Sequence, residues 1–227
     1  MPGPNLVLER RLLRQGHHLI AGVDEVGRGA WAGPVVAAAV ILPLDNPHLR
    51  ATLKGVNDSK LLTARQRERL AAAIGEVAVT LGVGGAGPAE VDRHGLLAAT
   101  RAAMQRAIAM LMPPPEALLI DAVDLSTVVA LPQESPIYGD ARSLSIAAAS
   151  IVAKVSRDRW MVGLDERFPG YGFAGHKGYG TPAHCAALER LGVCAAHRLS
   201  YAPILKLCGG TRPPVTAYEA SSQPDRP

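Results

Sequence analysis

Short apolar runs alternate with longer segments of helical character along this chain, and that alternation points to a layered α/β fold. His18–Glu25 reads as a strand ending in a glycine-rich turn, and Val35–Leu42 as a second strand, apolar throughout. Leu53–Lys60 is a polar loop with a turn signal at Asn57-Asp58-Ser59. Thr63 can cap a helix from about Ala64 to Ile74, and Val77–Val83 follows as a third strand. Pro88 suits the first turn of a helix running to about Met112, where Pro113–Pro115 stop it. Ala117–Asp121 reads as a buried strand ending in a carboxylate, and Pro136–Gly139 as a brief fifth strand. Ser143 to about Phe168 is a long helix. Its small residues over Ser145–Ala153 predict a close approach to the sheet. Thr181-Pro182 opens another helix that ends at Gly192, and Leu6, Leu8, Leu12 and Leu13 suggest a short amphipathic one near the start. The expected architecture is α/β with a mixed sheet.

Of the 227 residues, 48% are hydrophobic and 19% charged, enough for a sizeable core and too few charges for wholesale disorder. The eight residues of Val35–Leu42 form the longest apolar stretch, where about 20 are needed to cross a bilayer. No charged-then-apolar leader opens the sequence, and Cys185, Cys194 and Cys208 suggest no tight pairing. A cytoplasmic protein without a membrane partner is expected. The 24 basic and 20 acidic residues leave +4, which permits a nucleic-acid partner without demanding one. At 4% aromatic, a surface that stacks many bases is not expected. The stretch from Gly209 to Pro227, rich in Gly and Pro, reads as a flexible tail.

The chemistry-bearing residues sit at element ends. Asp24 and Glu25 follow the apolar run Leu19–Val23 and precede Gly27-Arg28-Gly29. Neighbours in a strand point to opposite faces, so both acids serve one site only if the strand ends or bulges there, which the glycines allow. The Gly-Arg-Gly turn offers backbone N–H groups and a guanidinium to a phosphodiester or a sugar hydroxyl. An ordinary turn with Asp24 as a helix cap is the alternative. Asp121 ends a buried strand, and Asp140 precedes the small-residue helix. Taken singly, these could be a turn aspartate and a favourable charge at a helix start. Taken together, the four acids can converge on one rim of a sheet. They cannot stay fully ionised there without counter-charge, and Arg28 and Lys60 are too few to supply it. Oxygen-only ligands suit Mg²⁺ or Mn²⁺, and a carboxylate-held pair of such ions is a template for displacement at phosphorus. A zinc reading of His184, Cys185, Cys194 and His197 matches no standard finger order. Tyr171–Thr181 is aromatic, basic and glycine-rich, and it precedes a helix N-terminus. It is either a phosphate seat or a plain structured loop.

These motifs, in this order, resemble those of ribonuclease HII, the type 2 ribonuclease H. The segments that carry the resemblance are Ala21–Gly29 with Gly33–Leu42, Asp58–Leu62, Leu119–Asp121, Gly139–Asp158, His176–Thr181 and His197–Pro203, and the resemblance as a whole covers about residues 6 to 206. The resemblance implies a ribonuclease H-like mixed β-sheet flanked by helices, with a C-terminal helical extension, in one catalytic domain over residues 1–208. It implies endonucleolytic cleavage of RNA in RNA–DNA hybrids and cutting at single ribonucleotides embedded in duplex DNA, leaving 5′-phosphate ends. By the same resemblance Asp24, Glu25, Asp121 and Asp140 are the catalytic, metal-binding acids of a two-ion Mn²⁺ or Mg²⁺ site. Gly27, Arg28 and Gly29 read the junction, Tyr179 senses the sugar, and Lys60 and Lys177 help bind substrate. A monomer is expected. Three positions depart from the family pattern: Tyr138 stands where lysine often precedes the Gly-Asp pair, Arg142 where lysine is common, and Ala122 where several members carry glycine.

Overall fold

The computed structural model describes residues 3–210, so most of the expected tail, from residue 211 onward, lies outside the described residues. The chain forms two compact units. One comprises Met1–Val26, Val36–Gly85 and Thr100–Arg157. The other comprises Gly27–Val35, Ala86–Ala99 and, among the described residues, 158–210.

In the first unit, helix α1 (Val7–Arg14) is followed by strands β1 (Ile20–Val26) and β2 (Val35–Ile41). After the short helix α2 (Leu49–Thr52) the polar loop closes in a 3-10 turn, Ser59–Leu61, capped by Asp58. Helix α3 (Ala64–Val77) starts where Thr63 and Gln66 satisfy each other's backbone N–H groups in a capping box, and β3 (Thr80–Ala86) follows. Helix α4 (Pro88–His94) and the first residues of α5 (Leu96–Ala109) belong to the second unit; from Thr100 the chain is again in the first, and β4 (Ala117–Ile120) and β5 (Gln133–Glu134) follow. The five strands lie in the order β3-β2-β1-β4-β5. β1 runs antiparallel to β2 and parallel to β4, and β4 runs parallel to β5, so the sheet is mixed as expected.

Two expectations need correction. A single helix from Pro88 to Met112 is not formed: Gly95, at φ 83°, ends α4, and a new helix starts at Leu96. No strand forms at Pro136–Gly139. Pro136 has no N–H to give a ladder, and the chain instead tightens into a 3-10 turn at Gly139–Ala141, leaving β5 upstream at Gln133–Glu134.

Helix α6 (Leu144–Arg167) lies against the sheet as its small residues predict. A Cβ added at Gly22 of β1 would sit 2.1 Å from the Ser145 carbonyl carbon and 2.5 Å from the Ile146 nitrogen. Ala147, Ala148, Ala149 and Ile151 of α6 share a core with Ala38 and Val40 of β2 and Leu70 and Ile74 of α3. Gly22→Ala is expected to push the helix backbone away and cost about 1–3 kcal/mol, the usual range for overpacking. An unchanged urea midpoint would contradict this packing.

The second unit contains helices α7 (Phe173–His176), α8 (Pro182–Leu191) and α9 (Ala202–Leu207). Its own core joins Ala32, Met161, Tyr171, Phe173, Leu188, Leu199 and Ile204. Among the described residues, no helix is long and apolar enough to cross a membrane.

Candidate active site

Parallel pairing of β1 with β4 places the C-terminal ends of both strands side by side. Val23 is in register with Ile120, and the Asp121 N–H continues the ladder by donating to the Val23 carbonyl at 3.0 Å. Asp24 and Asp121 therefore leave adjacent strands at the same level. Asp121 Oδ1 accepts the Gly139 N–H at 2.7 Å, which ties the turn carrying Asp140 to the end of β4. A Cβ at Gly139 would meet Ile146 Cδ1 at 2.6 Å and Asp121 Oδ1 at 3.1 Å, so a side chain there would have to displace the end of Ile146.

The strand does not break between the paired acids. β1 keeps its antiparallel register with β2 through Glu25 and Val26, so the two side chains leave on opposite faces. Glu25 nevertheless acts on its neighbour. Burial first, then repulsion from Glu25 and Asp121, push the Asp24 carboxyl well above the usual range, against hydrogen bonds from the Glu25 N–H at 2.7 Å and from Ser150. Asp140 is also raised, by burial and by Asp58 and Asp121, with Lys60 opposing. Partial burial pulls the Lys60 ammonium down, but Asp58, Asp140, Asp24 and Asp121 outweigh it and hold the group above its ordinary value. Four sequence-distant segments thus share one electrostatic field.

Three residues outside the expected set support this cluster. Ser150 of α6 bonds Asp24 and shares a 2.9 Å hydrogen bond with the Ser59 hydroxyl, next to Lys60. Asp58 Oδ1 accepts the Lys60 N–H at 2.9 Å. Glu9 of α1 is fully buried, and its Oε1 accepts from the Ser143 hydroxyl at 2.6 Å and the Ser145 N–H at 3.0 Å. Ser143 Oγ in turn accepts the Ile146 N–H. The start of α6 is therefore capped by Ser143 and Glu9. A cleft of about 550 Å³, lined in part by Asp58, Tyr138, Asp140 and Arg142, opens beside the acids. Tyr138 is 75% exposed there.

The donors in the cluster are carboxylate oxygens, and the repulsion that raises Asp24 and Asp140 is what a divalent ion relieves. The residues present therefore fit a hard dication such as Mg²⁺ or Mn²⁺. Among the described residues, no three Asp, Glu, His or Cys side chains enclose an ion by themselves. Water or phosphate oxygens would complete the coordination of a bound ion, as Mg²⁺ sites commonly require.

The remaining candidates lie in the second unit, where the structure joins two motifs about 150 residues apart in sequence. Gly27, at φ 90°, turns the chain into the exposed Arg28 and Gly29. The Trp31 and Ala32 N–H groups both donate to the Gly178 carbonyl, at 2.8 and 3.2 Å, beside the half-buried Tyr179. Arg198, fully buried, holds the turn: Nη1 donates to the Arg28 carbonyl at 2.9 Å, and Nε and Nη2 donate to the Gly33 carbonyl at 3.0 and 2.9 Å. The Tyr201 hydroxyl also donates to the Arg28 carbonyl. Lys177 Nζ donates to the Ala174 carbonyl at 2.6 Å.

His197 is fully buried. Burial, against a hydrogen bond at Cys194, brings its imidazole down from 6.5 to about 4. Above pH 6.5 the ring is neutral folded or unfolded. As pH falls from 6.5 toward about 4, the unfolded chain binds a proton that the folded chain does not, which costs roughly 3 kcal/mol of stability. Urea midpoints across this window should fall less steeply in His197→Gln than in the parent. Equal slopes would remove His197 from the acid response.

A family model described as ribonuclease HII matches residues 21–204. The chain is 55% identical over 201 residues to the ribonuclease HII of Geobacillus thermodenitrificans, covering 88% of this chain and 75% of that protein. It is 50% identical over 204 residues to the ribonuclease HII of Chloroflexus aggregans, covering 90% and 96%. The crystal structure of the ribonuclease H2 from Pyrococcus horikoshii superposes with a TM-score of 0.72 at 27% identity, covering 83% of this chain and 96% of that one.

Proposed function

The chain belongs to the ribonuclease HII family, and from that membership and the acid cluster we propose that this endoribonuclease, besides hydrolysing RNA in RNA–DNA hybrids, cuts at single ribonucleotides embedded in duplex DNA. The observation that carries the reading is the meeting of Asp24, Asp121 and Asp140 at the paired ends of β1 and β4, with Glu25 and Lys60 in the same field.

Asp24, Asp121 and Asp140 would hold two divalent ions, Mn²⁺ or Mg²⁺, with Glu25, which leaves the other face of β1, adding its negative charge to their field. When bound, such ions activate a water and neutralise charge developing on the phosphodiester. The chain's own groups supply the rest. Lys60 stays protonated beside the acids and can hold a non-bridging phosphate oxygen. The N–H groups of Gly27-Arg28-Gly29 can approach a ribose 2′-hydroxyl closely, and that hydroxyl is both donor and acceptor, which distinguishes RNA from DNA at a given step. Tyr179, linked to this turn through Gly178, supplies a ring for the neighbouring sugar. Arg28 and Lys177 add charge for the backbone.

Digestion of three labelled duplexes, each with and without divalent metal, tests the proposal. They are an RNA–DNA hybrid, a DNA duplex carrying one ribonucleotide, and an all-DNA duplex. Metal-dependent cutting of the first two and none of the third is expected. Cutting of the hybrid alone would remove the single-ribonucleotide activity, and cutting of all three would remove 2′-hydroxyl recognition.

A further inference from the structure

We propose that His184 and His197 form a directional imidazole pair that fixes the Tyr179 main chain, making His184 a positioning residue for ribonucleotide recognition. The proposal rests on the reading of Tyr179 as the sugar-contacting side chain.

Both histidines are fully buried. His184 lies in the first turn of α8, and its Nδ1 is 3.0 Å from the Tyr179 carbonyl oxygen. A carbonyl only accepts, so Nδ1 carries the proton and Nε2 of the neutral ring is an acceptor. That Nε2 is 3.1 Å from Nε2 of His197. Two bare nitrogens at this distance would repel, so the His197 proton is on Nε2. His197 Nδ1 is then an acceptor, with the Cys194 N–H at 3.0 Å and the Cys194 thiol at 3.2 Å; the Cys194 carbonyl oxygen, 3.1 Å from the same nitrogen, accepts the His197 main-chain N–H. The bonds run one way, from Cys194 N–H through His197 and His184 to the Tyr179 carbonyl. Burial is the main cause that lowers the pKa of both rings, keeping them neutral near pH 7.

His176 holds the other side of the same peptide segment. Its ring stacks on His184 at 4.3 Å between centroids. Its Nδ1 accepts the Gly178 N–H at 3.2 Å, while Nε2 donates to the Tyr171 carbonyl at 2.8 Å. The residues around Tyr179 are therefore gripped at an N–H by one imidazole and at a C=O by another. Such a grip sets where the Tyr179 ring stands relative to the turn that Gly178 binds through Trp31 and Ala32.

Two isosteric variants separate positioning from mere support. His184→Asn keeps an N–H near the Nδ1 position; His184→Gln moves its amide toward Nε2 and gives up the bond to Tyr179. His184→Gln should lose on the order of 5- to 150-fold in cleavage of a DNA duplex with one ribonucleotide, the scale of one sugar contact. His184→Asn should recover most of that loss. In a Tyr179→Ala background, His184→Gln should add little further loss, since both act through one side chain. Multiplying losses would overturn the proposal, as would equal losses in the two His184 variants. Imidazole ¹⁵N shifts of the unsubstituted protein at pH 7 need no variant to fold. They should report Nδ1–H for His184 and Nε2–H for His197, and reversed tautomers or a charged ring would overturn the pairing. Full activity of Tyr179→Ala alone would instead remove the reading of Tyr179, whatever the tautomers.

Discussion

Asp24→Asn and Asp121→Asn are expected to reduce cleavage to background while the protein stays folded, and Asp24→Asn to melt later than the parent. A neutral amide cannot balance a divalent ion, so the activity goes. The gain in stability follows from the same crowding. Burial, Glu25 and Asp121 raise the Asp24 carboxyl, so its ionised form is a burden on the native state at neutral pH, one that eases only as pH falls toward the folded pKa. Asparagine removes that burden and can still accept the Glu25 N–H. Each unit of raised pKa relieved is worth about 1.4 kcal/mol, and for a chain of this size 1 kcal/mol moves the melting temperature by about 2–4 °C. Asp140→Asn should lose activity as fully with little change in melting. Ser143 and Glu9 cap α6, and a helix-start charge contributes only about 0.3–1 kcal/mol. Thermal melts and single-turnover cleavage of the same preparations decide the matter. Parental turnover in either Asp24→Asn or Asp121→Asn would remove the acids from the chemistry, and early melting of active Asp140→Asn would make that residue a cap.

Tyr179→Ala should cut turnover on a single embedded ribonucleotide by about 5- to 150-fold, from about 1–3 kcal/mol for one ring contact. The loss should be smaller on a long RNA strand, which offers many registers. Tyr179 belongs to the second compact unit and the acids to the first, so calorimetric binding of divalent ions should be near the parental value. Equal losses on both substrates with weakened ion binding would assign Tyr179 to the support of the acid site.

Much of this organisation is legible in the sequence where a local signal suffices. Thr63 and Thr181 cap the helices they precede, and the small residues of Ser145–Ala153 announce a helix pressed on the sheet. The four acids stand out because each follows a strand or precedes a helix. What local pattern misses is set by tertiary contact. The apolar run through Leu96 continues past Gly95, yet the positive φ of that glycine breaks the helix. Glu9 gives no sign in sequence of its burial, which only the packing of α1 on the start of α6 explains. Arg198 gives no sign in sequence that it holds the Arg28 turn from 170 residues away. The unbroken register of β1 through Glu25 depends on β2 as its partner, which local glycines outweigh in a sequence reading.

The most direct test of the central claim is the chemistry of the ends left on a DNA duplex with one ribonucleotide. If water activated within the acid cluster attacks phosphorus from outside the substrate, the products carry a 5′-phosphate and a 3′-hydroxyl and divalent metal is required, which is the result the proposed mechanism predicts. A 2′,3′-cyclic phosphate with a 5′-hydroxyl would mean that the ribose's own 2′-hydroxyl is the nucleophile, and would contradict hydrolysis by the Asp24, Glu25, Asp121 and Asp140 site.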